Sequence, residues 1–154
     1  MTTSYPNLKY WCWCDLYLTS CFKNYSLQKY IIITTKEVKK RELDLLNTPL
    51  NPNNFYFQET IQNIPIKKHE QRLLIWKTSV HAAINYAIVE GYKNVVLIGV
   101  DLEENWGHYY NEESSKRPTR RILRMREYLY NFKEHINIYK TNKNNTLDLE
   151  WVDI

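Results

Sequence analysis

Apolar positions follow two different periods along the chain, and the alternation between them predicts its elements. Leu8-Lys-Tyr-Trp-Cys-Trp-Cys14 reads as a short strand ending at Asp15. Tyr30-Ile-Ile-Ile-Thr-Thr35 reads as a second strand; its nearly continuous apolar run predicts burial on both faces. Lys36 to Leu46 fits a charged helix, and Asn47 to Asn54, with Pro49, Pro52 and four asparagines, fits a loop. Phe55-Tyr-Phe57 suggests a small strand.

The clearest helical signal begins at Thr78-Ser79. Val80, Ala83, Ile84, Ala87 and Ile88 recur at the spacing of one helix face. Thr78 or Ser79 can cap the first amides, and Gly91 suits the left-handed position that ends a helix. Asn94 to Gly99 follows as a buried strand, with Val95 to Ile98 predicted at the centre of the sheet and the preceding helix on one face. A further helix fits Pro118 to Phe132, with Ile122, Leu123, Met125, Leu129 and Phe132 turned inward, and Ile136-Asn-Ile-Tyr139 is the last predicted strand. Alternating strands and helices predict an α/β fold with a mainly parallel sheet, and 154 residues suit one domain.

Composition adds limits. The chain is 44% hydrophobic and 25% charged, as in ordinary globular proteins, and no apolar run is long enough for a membrane-spanning helix. Met1-Thr-Thr-Ser-Tyr-Pro-Asn7 lacks the basic and apolar regions of a signal peptide, so the expected location is cytoplasmic. Cys12, Cys14 and Cys21 are expected as reduced structural thiols. Zinc on these thiols with His69 or His81 lacks a second closely spaced ligand pair, so no metal set is assigned there. A net charge of +4 gives only a slight general attraction for nucleic acid.

Candidate chemistry gathers at predicted strand ends, where ligands of parallel α/β sheets sit. Asp15, Thr35, Asp101 and Thr141 occupy such ends. Thr78 and Ser79 open a helix whose free amides and dipole suit a phosphate or carboxylate, or they are simply caps. Asp101, Glu103 and Glu104 form either a solvated acidic loop or a site for a divalent metal with nucleotide phosphates. His108 can act as general acid or base and Tyr109 can steady a leaving phosphate, against the alternative of a packed aromatic loop after Gly107. Arg117, Arg120, Arg121 and Arg124 recur at helical spacing; such a stripe is either a solvated helix face or a holder of a nucleotide phosphate or of nucleic acid.

The run from Thr78-Ser79 through Glu90-Gly-Tyr-Lys93 to Asn94-Val-Val-Leu-Ile-Gly-Val-Asp101, with a tyrosine after it, resembles the core of bacterial lipooligosaccharide sialyltransferases. It is also similar to the MptE-like domain, associated with 6-hydroxymethylpterin diphosphokinase and with phage and bacterial surface-glycan proteins. The resemblance covers Leu73 to Tyr110 and, more loosely, the basic helix and the Asn-rich turn near the end. It implies a single Rossmann-like three-layer domain over residues 1–154. It also implies a nucleotide-sugar-dependent glycosyltransferase-like protein of phage or surface-glycan type, with a nucleotide-sugar ligand and a glycan acceptor.

Carried onto this chain, the resemblance places Ser79 at the nucleotide, beside the helix-opening Thr78, Asp15 near the nucleotide-sugar and Tyr109 at the departing phosphate. Asp101, Glu103, Ser114 and Arg117 join the nucleotide-binding set, Glu103 standing where the family has an earlier tyrosine. The family's catalytic histidine aligns with Ser114 or Ser115, which leaves His108 as the nearest candidate base. No cofactor is implied under the sialyltransferase reading. Under the MptE-like alternative, a pyrophosphotransferase, Asp101 and Glu103 would bind magnesium. A second alternative is a non-catalytic binding or assembly protein that keeps only the fold. The family's glycine-containing strand and loop has no counterpart at the start of the sequence, so the expectation is a reduced, weakly active relative, or one completed by a second copy or a partner chain.

Overall fold

The computed structural model describes residues 10–12, 31–34, 55–59, 63–67, 71–76, 78–106, 115–116 and 118–153. The helix expected over residues 36–46 lies outside them. Two units divide the chain, Met1–Tyr86 and Ala87–Ile154, and the architecture is mixed α/β with parallel sheets.

The first unit contains a four-stranded sheet in chain order: β1 (Tyr10–Cys12), β2 (Ile31–Thr34), β3 (Phe55–Glu59) and β4 (Arg72–Leu74). All three pairings are parallel, with Tyr10 opposite Ile31, Ile32 opposite Phe55 and Phe57 opposite Arg72. The predicted strands at Tyr30–Thr35 and Phe55–Phe57 are present, the latter two residues longer. β4 is an addition to the sequence reading. Its neighbours Leu73 and Leu74 point to opposite faces and both are buried, so both faces are covered there.

Helix α1 (Ser79–Val89) starts and stops where local chemistry dictates. Thr78 Oγ1 accepts the Val80 amide at 3.3 Å, making Thr78 the cap. At the other end, Gly91 has φ +81°, its amide donates to the Ile88 carbonyl, and the Tyr92 amide donates to the Ala87 carbonyl. This paired closure satisfies the last carbonyls and needs the left-handed residue that glycine supplies.

The face expected to be buried is corrected. Ala83 is exposed and Val80 and Ala87 are only half-buried, whereas His81, Ala82, Asn85, Tyr86 and Val89 are inside with Ile84. Two polar side chains are buried because the backbone supplies partners. Asn85 Oδ1 accepts the Leu74 amide at 2.8 Å and its Nδ2 donates to the Pro65 carbonyl at 2.6 Å. His81 Nδ1 accepts the Trp76 amide at 3.2 Å, which puts the ring proton of a neutral imidazole on Nε2. Tyr86 meets Tyr56 edge-on, with ring centroids 4.7 Å apart.

The second unit carries β5 (Asn94–Leu97), β8 (Asn137–Lys140) and β9 (Glu150–Trp151), all parallel, in the order β5-β8-β9. Between β5 and β8 run the antiparallel pair β6 (Asn105–Trp106) and β7 (Ser115–Lys116), then helix α2 (Thr119–Asn131) and a 3₁₀ turn at Phe132–Glu134. Ile122, Met125, Leu129 and Phe132 are buried as expected, with Leu97, Ile138, Leu147 and Leu149 completing the core. Leu123 is 59% exposed, a correction: one residue past Ile122, it has rotated off the buried stripe.

Two strand expectations also change. Val95–Leu97 does form a parallel strand, but β5 is an edge strand of the described sheet rather than a central one. Val96 is 38% exposed and Ile98 67%, while Leu97 on the opposite face is buried. An apolar run carries no information about which of its faces is covered, and here one face is. The last strand is β9, not the run at Ile136–Tyr139; its two residues are too few to give a period.

Candidate functional site

The carboxyl ends of β5 and β8 place a set of polar side chains on one rim of the second unit. Beyond β5 the chain turns at Gly99, with φ +67° and open space where a Cβ would stand, and reaches Asp101, which is exposed. Leu102 also takes a positive φ, 49°, and is buried. A β-carbon makes that conformation uncommon, so the surrounding contacts must hold it. One such contact is on its own carbonyl, which accepts Arg126 Nε at 3.1 Å.

The residues after β8 fold back over this turn. Thr141 extends the ladder by donating its amide to the Leu97 carbonyl at 3.2 Å. Asn142 Nδ2 donates to Asp101 Oδ1 at 3.3 Å, and Asn145 Nδ2 donates to the same oxygen at 3.4 Å and to the Val100 carbonyl at 3.1 Å. The two asparagines are themselves held, since Asn142 Oδ1 accepts the Asn144 amide and Asn145 Oδ1 accepts the Leu147 amide. These local bonds are what asparagine does in turns. Beneath them Lys140, buried on β8, donates from Nζ to the carbonyls of Asn145 and Leu147. Trp151 on β9 donates its indole N–H to the Thr141 carbonyl at 2.9 Å, and Lys143 lies 5.4 Å from the ring centroid.

The other acids of the rim have separate partners. Glu103 Oε1 accepts Thr146 Oγ1 at 3.4 Å, Thr146 Oγ1 also accepts Arg126 Nη2, and Glu104 Oε1 accepts Thr119 Oγ1. Among the described residues no three His, Cys, Asp or Glu side chains group as a metal site would need. The rim offers an oriented carboxylate, side-chain amides and hydroxyls. Such a set receives hydroxyl, amine or cationic groups better than it receives bare phosphate.

The predicted site residues fall in three places. Asp101, Glu103 and Thr141 lie on this rim. Thr78 and Ser79 open α1 in the first unit, Thr78 as its cap and Ser79 half-buried as the first helical residue. Asp15, Thr35, His108, Tyr109, Ser114 and Arg117 lie outside the described residues, although β6 and β7 pair the segments that flank three of them. The sequence reading missed Asn145, Lys140 and Arg126. The signal for Asn145 was the Asn142-Lys-Asn-Asn145 turn directly after a strand. Lys140 and Arg126 carry no pattern of their own.

Comparison with family models, with curated proteins and with solved structures gives no match for the chain. Among the described residues no helix is long and apolar enough to cross a membrane.

Proposed function

We propose that this chain is a Rossmann-like, nucleotide-sugar-binding protein of glycosyltransferase type, holding the hydroxyls of its ligand on Asp101. The observation that carries the reading is the Asp101 carboxylate itself. It is exposed beyond the carboxyl end of a parallel strand, where α/β sheets take their ligands, and two side-chain amides orient one of its oxygens. An ionised carboxylate only accepts hydrogen bonds, so its natural ligand partners are hydroxyls of ribose or of a transferred sugar. The resemblance of Asn94 to Asp101 to sialyltransferase cores supports the same ligand class, with Tyr109 at the departing phosphate and His108 as base.

Calorimetry with CMP-, UDP- and GDP-sugars and with ATP, each with and without magnesium, tests this. At least one sugar nucleotide should bind without metal. Asp101→Ala should weaken it by roughly 10- to 100-fold, the worth of a hydrogen bond to a charged group. If no conjugate binds, or Asp101→Ala binds as well as the parent, the reading fails. Binding of ATP that requires magnesium would move the assignment to the pyrophosphotransferase alternative. Binding without release of free nucleotide would identify a non-catalytic binding protein.

A further inference from the structure

We propose that the outward face of α2 docks the phosphodiester backbone of a nucleic acid, through Arg120, Arg121 and Arg124. All three are exposed, and none forms an ion pair with a carboxylate among the described residues. Arg120 and Arg124 are four residues apart and Arg121 and Arg124 three apart, so the guanidiniums are neighbours on one surface. They occupy the first two turns, where the helix dipole is already positive; the helix has no acidic residue in its own first turn and no side-chain cap, and the Glu104 carboxylate there accepts Thr119 rather than an arginine. A face serving only solubility would interleave the signs, yet the first carboxylate along α2 is Glu127. Like charges at the wrong end of a dipole are unfavourable to the isolated fold, and an anionic partner reverses that.

The form of the surface selects the anion. It is the convex side of a helix, which suits an extended ligand rather than a small molecule needing a pocket. Arg120 and Arg124 are about 6 Å apart along the axis, within reach of neighbouring phosphates on one strand. Arginine forks match phosphate oxygens in pairs. A lipid surface fits less well, because Ile122, Met125 and Leu129 on the apolar stripe of α2 are buried in the core, and the exposed Leu123 alone offers a bilayer too little apolar surface. Arg120, Arg121 and Arg124 form none of the rim's hydrogen bonds, although the rim's Glu104 accepts Thr119 in the same turn of α2, and the proposal stands or falls independently of the sugar-nucleotide reading.

Fluorescence anisotropy of the full chain with a labelled oligothymidylate, titrated with salt from roughly 50 to 200 mM, is the test. Three phosphate contacts predict a slope of log affinity against log salt of about −2 on a single strand. The triple variant Arg120→Gln, Arg121→Gln, Arg124→Gln should flatten that slope almost completely, and Arg124→Gln alone should reduce it by about one phosphate's worth. Circular dichroism confirms that the exposed substitutions leave the fold intact; should the triple variant unfold, Arg124→Gln decides. The charge-matched control Lys67→Gln, Lys93→Gln, Lys143→Gln should retain the slope. The proposal is overturned if the parent does not bind, if either arginine variant keeps the parental slope, or if the control loses as much as the triple variant. It is equally overturned if phosphatidylserine vesicles retain the chain while the oligonucleotide does not.

Discussion

Lys140→Met separates the ammonium of a buried lysine from its hydrocarbon stem, and its effect follows from the bonds around it. Lys140 is 7% exposed, and its Nζ donates to the Asn145 carbonyl at 2.9 Å and to the Leu147 carbonyl at 2.6 Å. Each hydrogen bond to a charged group contributes about 1.5–3 kcal/mol. The Leu147 carbonyl keeps a second donor, the Leu149 amide at 2.9 Å, so it is not orphaned by the change. The Asn145 carbonyl has no second donor among the described residues, and leaving it buried and unpaired costs about 1–3 kcal/mol. Against this, methionine fills the same channel and removes the penalty of burying an ammonium, which offsets part of the loss. The net expectation is about 2–3 kcal/mol of destabilisation. Urea denaturation with an unchanged slope reads the total, and hydrogen exchange locates it. The Asn144 and Leu147 amides, which bond to Asn142 and Asn145, should lose protection before those of β8. Because Asn142 and Asn145 also orient Asp101, ligand binding should weaken in parallel. A change below about 0.5 kcal/mol, the scatter of ordinary surface substitutions, would refute this reasoning, as would protection lost evenly over the unit.

Two further substitutions test the first unit and the junction after α1. Asn85→Ala strands both the Leu74 amide and the Pro65 carbonyl in a buried setting, so thermal or urea unfolding should show a loss of about 2–5 kcal/mol; a near-neutral result would mean that the side chain does not hold these groups. Gly91→Ala meets open space but a φ of +81°, so a loss of about 1–2 kcal/mol should come from the backbone alone, with Gly91→Asn recovering part of it. Stabilisation by alanine there would contradict the left-handed closure of α1.

What the sequence determined by itself is local. A hydroxyl cap at Thr78 or Ser79, Gly91 as a stop, the start of α2 next to Pro118 and the buried stripe of Ile122, Met125 and Leu129 each follow from residues within one or two turns of one another. The mainly parallel character of the sheets was legible for a related reason, since strands that alternate with helical runs need crossover connections, whereas which strand pairs with which was not. The position of Asp101 beyond a parallel strand was legible as well, because the apolar run before it stops at Gly99. Tertiary structure decided the rest. The strands β4 and β9 have three and two residues and exist only through ladders to distant partners. The buried face of α1 was misread because His81 and Asn85 look polar until Trp76, Leu74 and Pro65 supply their partners. Asp101 is oriented by asparagines 41 and 44 residues away, and Lys140 reads as a surface lysine until two carbonyls close over it. A side chain's own chemistry sets which bonds it can make; whether it is buried or exposed depends on which backbone groups the fold brings within about 3 Å of it.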